Sequence, residues 1–254
     1  MSIRFSYNAE GWTVSVAKVA MAVAELGFRG IEVFGLNERL DEDKDLESVL
    51  PYLGIEVSAS YYAGSLVEPD RFDSERAYFE RNLEETVRLG AKCVVVAGGR
   101  IRAGREADDW KTLVRSLSIL GGMAARSGVQ VAFHPHQGTL VYTPNDIDRL
   151  AGETDPNIIK FAFDTAHLAK SGGDPVALFK KYFTRIAHVH FKDMKHGHFV
   201  ELGRGDVPIQ QIFNVLKYTG YDAWITVELD STPYPTESAT VNRNYLRNVL
   251  GINI

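Results

Sequence analysis

This chain of 254 residues has one cysteine, three tryptophans, nine prolines and no excess of positive charge. A single cysteine, Cys93, rules out an internal disulfide. Its setting in Cys93-Val-Val-Val96 reads as buried strand packing, common for a free thiol, and suits a reducing, cytoplasmic compartment. No apolar run approaches the roughly 20 residues of a membrane span. The start, Met1-Ser-Ile-Arg-Phe-Ser-Tyr7, lacks the basic stretch and apolar core of a signal peptide. The formal net charge of −5 argues against a general nucleic-acid binder, which carries a basic face. No low-complexity or Pro/Ser/Gly-rich tract divides the chain, so residues 1–254 read as one domain.

What is present is alternation. Strand-like runs at Ile3–Tyr7, Gly30–Phe34, Ile55–Ser60, Lys92–Ala97, Val129–His134, Ile158–Phe163, Ile186–Phe191 and Ala223–Glu228 each precede a helical run. The helices are expected over Val14–Leu26, Leu46–Leu53, Arg71–Leu89, Asp108–Arg126, Pro144–Ala151, Pro175–Tyr182, Pro208–Tyr218 and Glu237–Leu250. Several stop at a glycine, which accepts the left-handed conformation that ends a helix. Strands such as Val94-Val-Val-Ala97 are continuously apolar, as when both faces are buried. Eight β/α units in this length predict a single (β/α)8 barrel, an α/β fold. An open doubly wound sheet would want a Gly-rich first turn, which Tyr7-Asn-Ala-Glu-Gly11 does not supply.

In such a barrel the active site lies at the C-terminal ends of the strands. His134, Asp164, His190 and Glu228 end strands five to eight, at spacings of 30, 26 and 38 residues. A lone Asp there ordinarily caps a helix, and a lone His is ordinarily hydrogen-bonded packing. Four in consecutive strands form an arc of candidate metal ligands. Two imidazoles and two carboxylates suit Mn²⁺, Fe²⁺, Co²⁺ or Zn²⁺ better than all-oxygen cations.

Around the arc, His136 and His167 are candidate proton carriers, ligands or substrate donors. Lys192 reads either as a lysine salt-bridged beside Asp193 or as a cation for an oxyanion. Glu32, Trp12, Tyr61 and Arg204 are candidate substrate contacts, with Tyr62 a further wall residue. His188 reads as packed one layer deeper, and His196 and His198 as loop residues in solvent. Asp206 is expected to cap the helix that Pro208 begins. Glu47, Glu84 and Glu85 read as solvated helix positions.

Four stretches then carry a resemblance: Phe133-His-Pro-His-Gln-Gly-Thr139; Phe163-Asp-Thr-Ala-His167 with Gly172-Gly-Asp-Pro175; His188-Val-His-Phe-Lys-Asp193; and Gly220-Tyr-Asp-Ala-Trp-Ile-Thr-Val-Glu228. Over nearly its whole length the chain resembles the xylose-isomerase-like TIM-barrel superfamily of sugar isomerases, ketose epimerases and apurinic endonucleases of family 2. It is most similar to the inosose dehydratase branch. The resemblance implies a divalent metal, manganese first, with Co, Fe, Zn or Mg as alternatives, on His134, Asp164, His190 and Glu228. It implies a small polyhydroxylated ketone, a keto-cyclitol or keto-sugar, processed through a metal-stabilised enediolate. Glu228 or His136 would be the base, and His167 or Lys192 the acid or oxyanion partner. A homo-oligomer is compatible with it.

One departure matters. The isomerases and epimerases carry Glu where this chain has His134, so one of their two proton-exchanging carboxylates is missing. The reading therefore favours a lyase, a dehydratase of the inosose dehydratase type. A sugar isomerase or ketose epimerase is the alternative, and an apurinic endonuclease-like nuclease a remote one. The chain is also shorter than inosose dehydratases between Asp193 and Gly203, which leaves room for a keto-sugar or keto-glycoside substrate.

Overall fold

The computed structural model describes residues 3–34 and 46–254. Eight strands close into one parallel barrel: Arg4–Asn8, Gly30–Phe34, Glu56–Gly64, Cys93–Gly98, Gln130–Phe133, Ile159–Asp164, Ile186–Phe191 and Trp224–Val227. Each pairs with the next in sequence, and the eighth pairs with the first. Helices Val16–Glu25, Leu46–Leu53, Phe72–Arg88, Glu106–Arg126, Pro144–Glu153, Pro175–Tyr182, Ile209–Tyr218 and Pro235–Asn248 follow strands one to eight in turn. The structure is the (β/α)8 barrel that the alternation predicts. Among the described residues, no helix is long and apolar enough to cross a membrane.

The alternation of side chains along each strand divides the interior in two. Val94, Val96, Val131, Phe133, Phe161 and Phe163 belong to the large core beneath the helices. Their neighbours of opposite parity, Cys93, Val95, Ala132 and Ala162, form a separate small core with Ala59 and Tyr61. Small residues inside the barrel leave its mouth open for larger polar groups. At the other end Trp224 fills the space: a Cβ on Gly30 would lie 2.6 Å from its ring and 2.8 Å from Ser6 Cβ. Only glycine fits there.

Three local departures from the sequence reading have clear causes. The third strand runs on through Tyr61 and Tyr62 to Gly64, because residues 60–64 pair with 94–98 of strand four. Asp206 does not cap the seventh-unit helix; Pro208 holds that position and the helix begins at Ile209. The segment after strand seven forms an antiparallel hairpin, Asp193–Lys195 with His198–Val200. Its turn is His196-Gly197, with both residues at positive φ of 49° and 80°. That conformation matches the twist of a two-residue hairpin. His196 and His198 are exposed on it, as expected.

Candidate metal centre

Register sets the height of the strand ends. Asp164 lies beside His190 in the ladder, and His190 beside Thr226. The His134 N–H donates to Val96 O at 2.8 Å, and the Glu228 N–H to Phe191 O at 3.1 Å. These bonds carry strand pairing one residue past the regular sheet and hold both side chains at the rim.

Asp164 caps a helix, as one of its sequence readings expects, and keeps one oxygen for other use. Oδ1 caps the short helix Thr165–Lys170, accepting from the Ala166 and His167 N–H groups at 2.8 Å each. Oδ2 is buried with no hydrogen-bond partner. Glu228 divides its oxygens likewise: Oε1 accepts from Lys192 Nζ at 2.9 Å, and Oε2 has no hydrogen-bond partner. Oε2 lies 2.8 Å from His190 Nδ1, without hydrogen-bond alignment. The His134 Nδ1 lies 3.2 Å from Ala162 O. A carbonyl can only accept, so Nδ1 carries the proton and Nε2 keeps its lone pair. Ligating atoms of His134, Asp164 and His190 lie within 4.8 Å of one another.

Beneath this group sits Glu32. Expected to contact substrate, it is instead fully buried. Its Oε1 accepts from Asn8 Nδ2 at 2.7 Å. Its Oε2 faces His188 Nε2 at 2.7 Å and His190 Nε2 at 3.0 Å. Burial would raise its pKa, but His190 and His188 more than offset this and hold it down to about 2. His188 also meets Thr226 Oγ1 at 2.8 Å, a packed layer below the rim.

Lys192 is 1% exposed. Asp193 does not pair with it, being occupied by the N–H groups of Met194, Gly203, Gly205 and Val207. The ammonium instead faces Glu228, Asp164 Oδ2 at 3.5 Å, and Asp230. Burial works against its charge, yet these carboxylates raise its pKa well above the usual lysine range. Phe199 of the hairpin lies over it, with Nζ 4.7 Å from the ring centre. The same ring lies 5.2 Å from that of His167.

His167 is buried, and neither ring nitrogen has a hydrogen-bond partner. Burial, then the Lys192 charge, drive its pKa far below the usual value, so it is neutral. The His136 ring lies 4.2 Å away. His136 is half-buried, and its Nδ1 donates to Gln137 O at 2.8 Å, leaving Nε2 with a lone pair. Tyr61 stands edge-on to His134 at 6.0 Å and lines the adjoining cleft with His136.

Two expected substrate contacts point elsewhere. Trp12 is buried in the core, edge-on to Tyr7 at 6.3 Å. Arg204 is exposed and pairs with Glu201 at 3.0 Å. Tyr62 packs edge-on against Phe79 and, as expected of a wall residue, also lines the cleft. Sequence reasoning missed Glu10 and Asp230. Each sits two residues beyond a strand-end group, Asn8 or Glu228, and that period-2 signal was available. Glu10 lines the cleft from an exposed position; partial desolvation first, then Glu228 and Asp230, push its carboxyl up to about 7.

Carboxylates outnumber cations at this mouth. Asp164, Glu228 and Asp230 face one lysine, with partnerless acceptor atoms on Asp164 and Glu228. A divalent cation suits that donor set: mixed nitrogen and oxygen ligands, two oxygens lacking donors, and an excess of negative charge.

A closed parallel barrel with ionisable strand ends gathered at one mouth is a (β/α)8 barrel with a candidate metal centre. Residues 21–249 match the family described as xylose isomerase-like TIM barrel, and the chain belongs to that family. An inosose dehydratase of Clostridium perfringens is 30% identical over 262 residues, 89% of this chain and 86% of its own length. Among solved structures, the probable 3-DHS dehydratase AsbF of Bacillus anthracis superposes with a TM-score of 0.85 at 18% identity, over 97% of this chain and 100% of its own. The IOLI protein, solved with a bound zinc atom, gives 0.82 at 19% identity, over 98% of each chain. These two share the fold.

Proposed function

We propose that the protein is a divalent-metal-dependent lyase that removes water from a polyhydroxylated ketone, a keto-cyclitol or keto-sugar. The observation that carries the reading is the grouping of His134, Asp164 and His190, with ligating atoms within 4.8 Å of one another, and Glu228 Oε2 2.8 Å from His190 Nδ1; Asp164 Oδ2, His190 Nδ1 and Glu228 Oε2 are buried without hydrogen-bond partners. The inosose dehydratase relative supports the reaction class. His134, Asp164, His190 and Glu228 would hold the cation, manganese first. When bound, it supplies Lewis-acid polarisation of a substrate oxygen.

The chain's own groups divide the remaining work. His136, with a free Nε2 in the cleft, takes the proton from the carbon next to the carbonyl. Lys192, kept charged by its carboxylates, stabilises the negative charge that develops on oxygen. Neutral His167 holds a substrate hydroxyl. Glu10 gives its proton to the β-hydroxyl, which leaves as water as the C–O bond breaks. Hairpin residue Phe199 covers Lys192 and limits its access to water.

An isomerase or epimerase is the second reading. It draws on two proton-exchanging groups in one cleft, His136 and Glu10. Incubating the Mn²⁺-loaded protein with keto-inositols and ketohexoses in deuterated water separates the two. Deuterium uptake beside the ketone together with water loss is expected. Uptake without water loss supports the isomerase, and no uptake with any polyhydroxy ketone rejects both.

A further inference from the structure

Three imidazoles gather on one side of the mouth. His134, His136 and His167 each offer a ring nitrogen, and the three atoms lie within 4.8 Å of one another. The ring centres of His136 and His167 are 4.2 Å apart, and that of His134 lies 5.6 and 5.5 Å from them. His134 is common to this group and to the group with Asp164 and His190.

Each ring presents a lone pair. The Nδ1 protons of His134 and His136 go to Ala162 O and Gln137 O, which leaves Nε2 as the acceptor on both. His167 is 3% exposed, and neither of its nitrogens has a hydrogen-bond partner. Burying polar atoms unpaired is costly, and a ligand on them removes the cost. The ammonium of Lys192 is the nearby positive charge, and Glu228, Asp164 and Asp230 offset it.

The backbone beneath the rings is fixed. The His136 N–H donates to Val141 O at 3.1 Å, and its carbonyl accepts from the Thr139 N–H at 3.2 Å and from Thr139 Oγ1 at 2.7 Å. This loop is laced in turn to the loop after strand four: Leu140 N–H donates to Gly99 O at 2.8 Å, and Ile101 N–H to Gly138 O at 3.1 Å. His134 is held by its rim hydrogen bond, and His167 by the short helix that Asp164 caps.

Donor chemistry selects the occupant. Three neutral imidazoles suit zinc, whereas carboxylates suit manganese and magnesium. Zinc bonded at about 2.0–2.1 Å sets tetrahedral ligands about 3.4 Å apart, inside the 4.8 Å limit of this group. Three protein ligands leave a fourth position, and His136 lines the cleft, through which water reaches it.

We propose that His134, His136 and His167 form a zinc site distinct from the carboxylate-rich centre, and that zinc there competes with that centre. His134 has one lone pair and serves one ion at a time. Zinc on the triad withdraws His134 from the four-ligand set and takes the lone pairs of His136 and His167, so the protein is zinc-inhibited. The inhibition rests on the function proposed above; the site is testable without it.

X-ray absorption at the zinc edge counts the imidazoles on the ion, and competitive titration measures affinity. Wild-type protein with one equivalent of zinc is expected to show three imidazoles, falling to two in His136→Gln. Zinc affinity should drop at least tenfold in His136→Gln and His167→Gln, while Mn²⁺ affinity, read by electron paramagnetic resonance, changes less than twofold. Asp164→Asn should do the reverse. His136→Gln, at a half-buried position, is decisive alone where the buried His167→Gln fails to fold. A two-imidazole shell that His136→Gln leaves unchanged overturns the site, as does an equal loss of zinc and manganese affinity in that variant. Zinc added to the Mn²⁺-loaded protein should suppress deuterium exchange with the keto-inositols and ketohexoses. Undiminished exchange with zinc on the triad overturns the competition. A three-imidazole zinc shell in a protein that exchanges nothing when Mn²⁺-loaded upholds the site and rejects the proposed function instead.

Discussion

Glu32 Oε2 stands 3.0 Å from His190 Nε2, both side chains sealed from solvent at the base of the mouth. A carboxylate held far into its ionised range accepts only, so it fixes a proton on Nε2 and turns Nδ1 toward Glu228. Partners of this kind set the tautomer and orientation of ligating histidines. Glu32→Gln keeps the shape and removes the charge. Mn²⁺ affinity, followed by electron paramagnetic resonance, is expected to fall about 10–100-fold. Unchanged affinity in a folded Glu32→Gln protein would show that Glu32 does not position His190 for a metal.

Lys192→Met removes one ammonium and strands Glu228, Asp164 and Asp230 together. Deleting one partner of a buried ion pair typically costs about 3–5 kcal/mol. Urea unfolding of the metal-free variant should show a loss of that order. A stability equal to wild type would mean that these carboxylates shed their charge at little cost when the lysine is gone.

Cation binding to the folded chain alone must raise its melting temperature by mass action. At a free concentration of one hundred times Kd the gain is about 2.7 kcal/mol, or roughly 5–10 °C for a chain of this size. Chelation with EDTA should reverse the shift, and His134→Ala should abolish most of it. A melting curve insensitive to Mn²⁺, Co²⁺ and Zn²⁺ alike counts against the metal centre.

Asp109 and Arg102 give a pH dependence remote from the mouth. The Arg102 hydrogen bonds lower the Asp109 pKa below its ordinary 3.8. The sign follows: the pair stabilises the fold above that pH, and the contribution is lost as pH falls through the lower, folded value. Between pH 5 and 2, wild-type melting temperature should fall more steeply than that of Asp109→Asn. Parallel slopes would remove the pair from the acid response.

The barrel was readable because each strand and helix announces itself locally, by apolar runs and terminal glycines. The strand ends were readable for the same reason: His134, Asp164, His190 and Glu228 are local features of successive repeats. Partner choice was not. Lys192 is adjacent to Asp193 in sequence, but strand pleating sends neighbouring side chains to opposite faces, so it meets Glu228, thirty-six residues on. Glu32 lies mid-strand, two residues short of Phe34, and the barrel's closure brings His190, 158 residues away, over it. Trp12 and Arg204 failed for a related reason: loop residues have no period that fixes their direction.

The backbone lacing between the loop that holds Arg100 and the loop that holds His136 and Gln137 has an evolutionary consequence. A shift of either strap also displaces the imidazole. Under the proposed function, the shape of this wall and turnover are inherited as one trait. Descendants that change substrate should do so by replacing side chains on these straps, with loop lengths conserved.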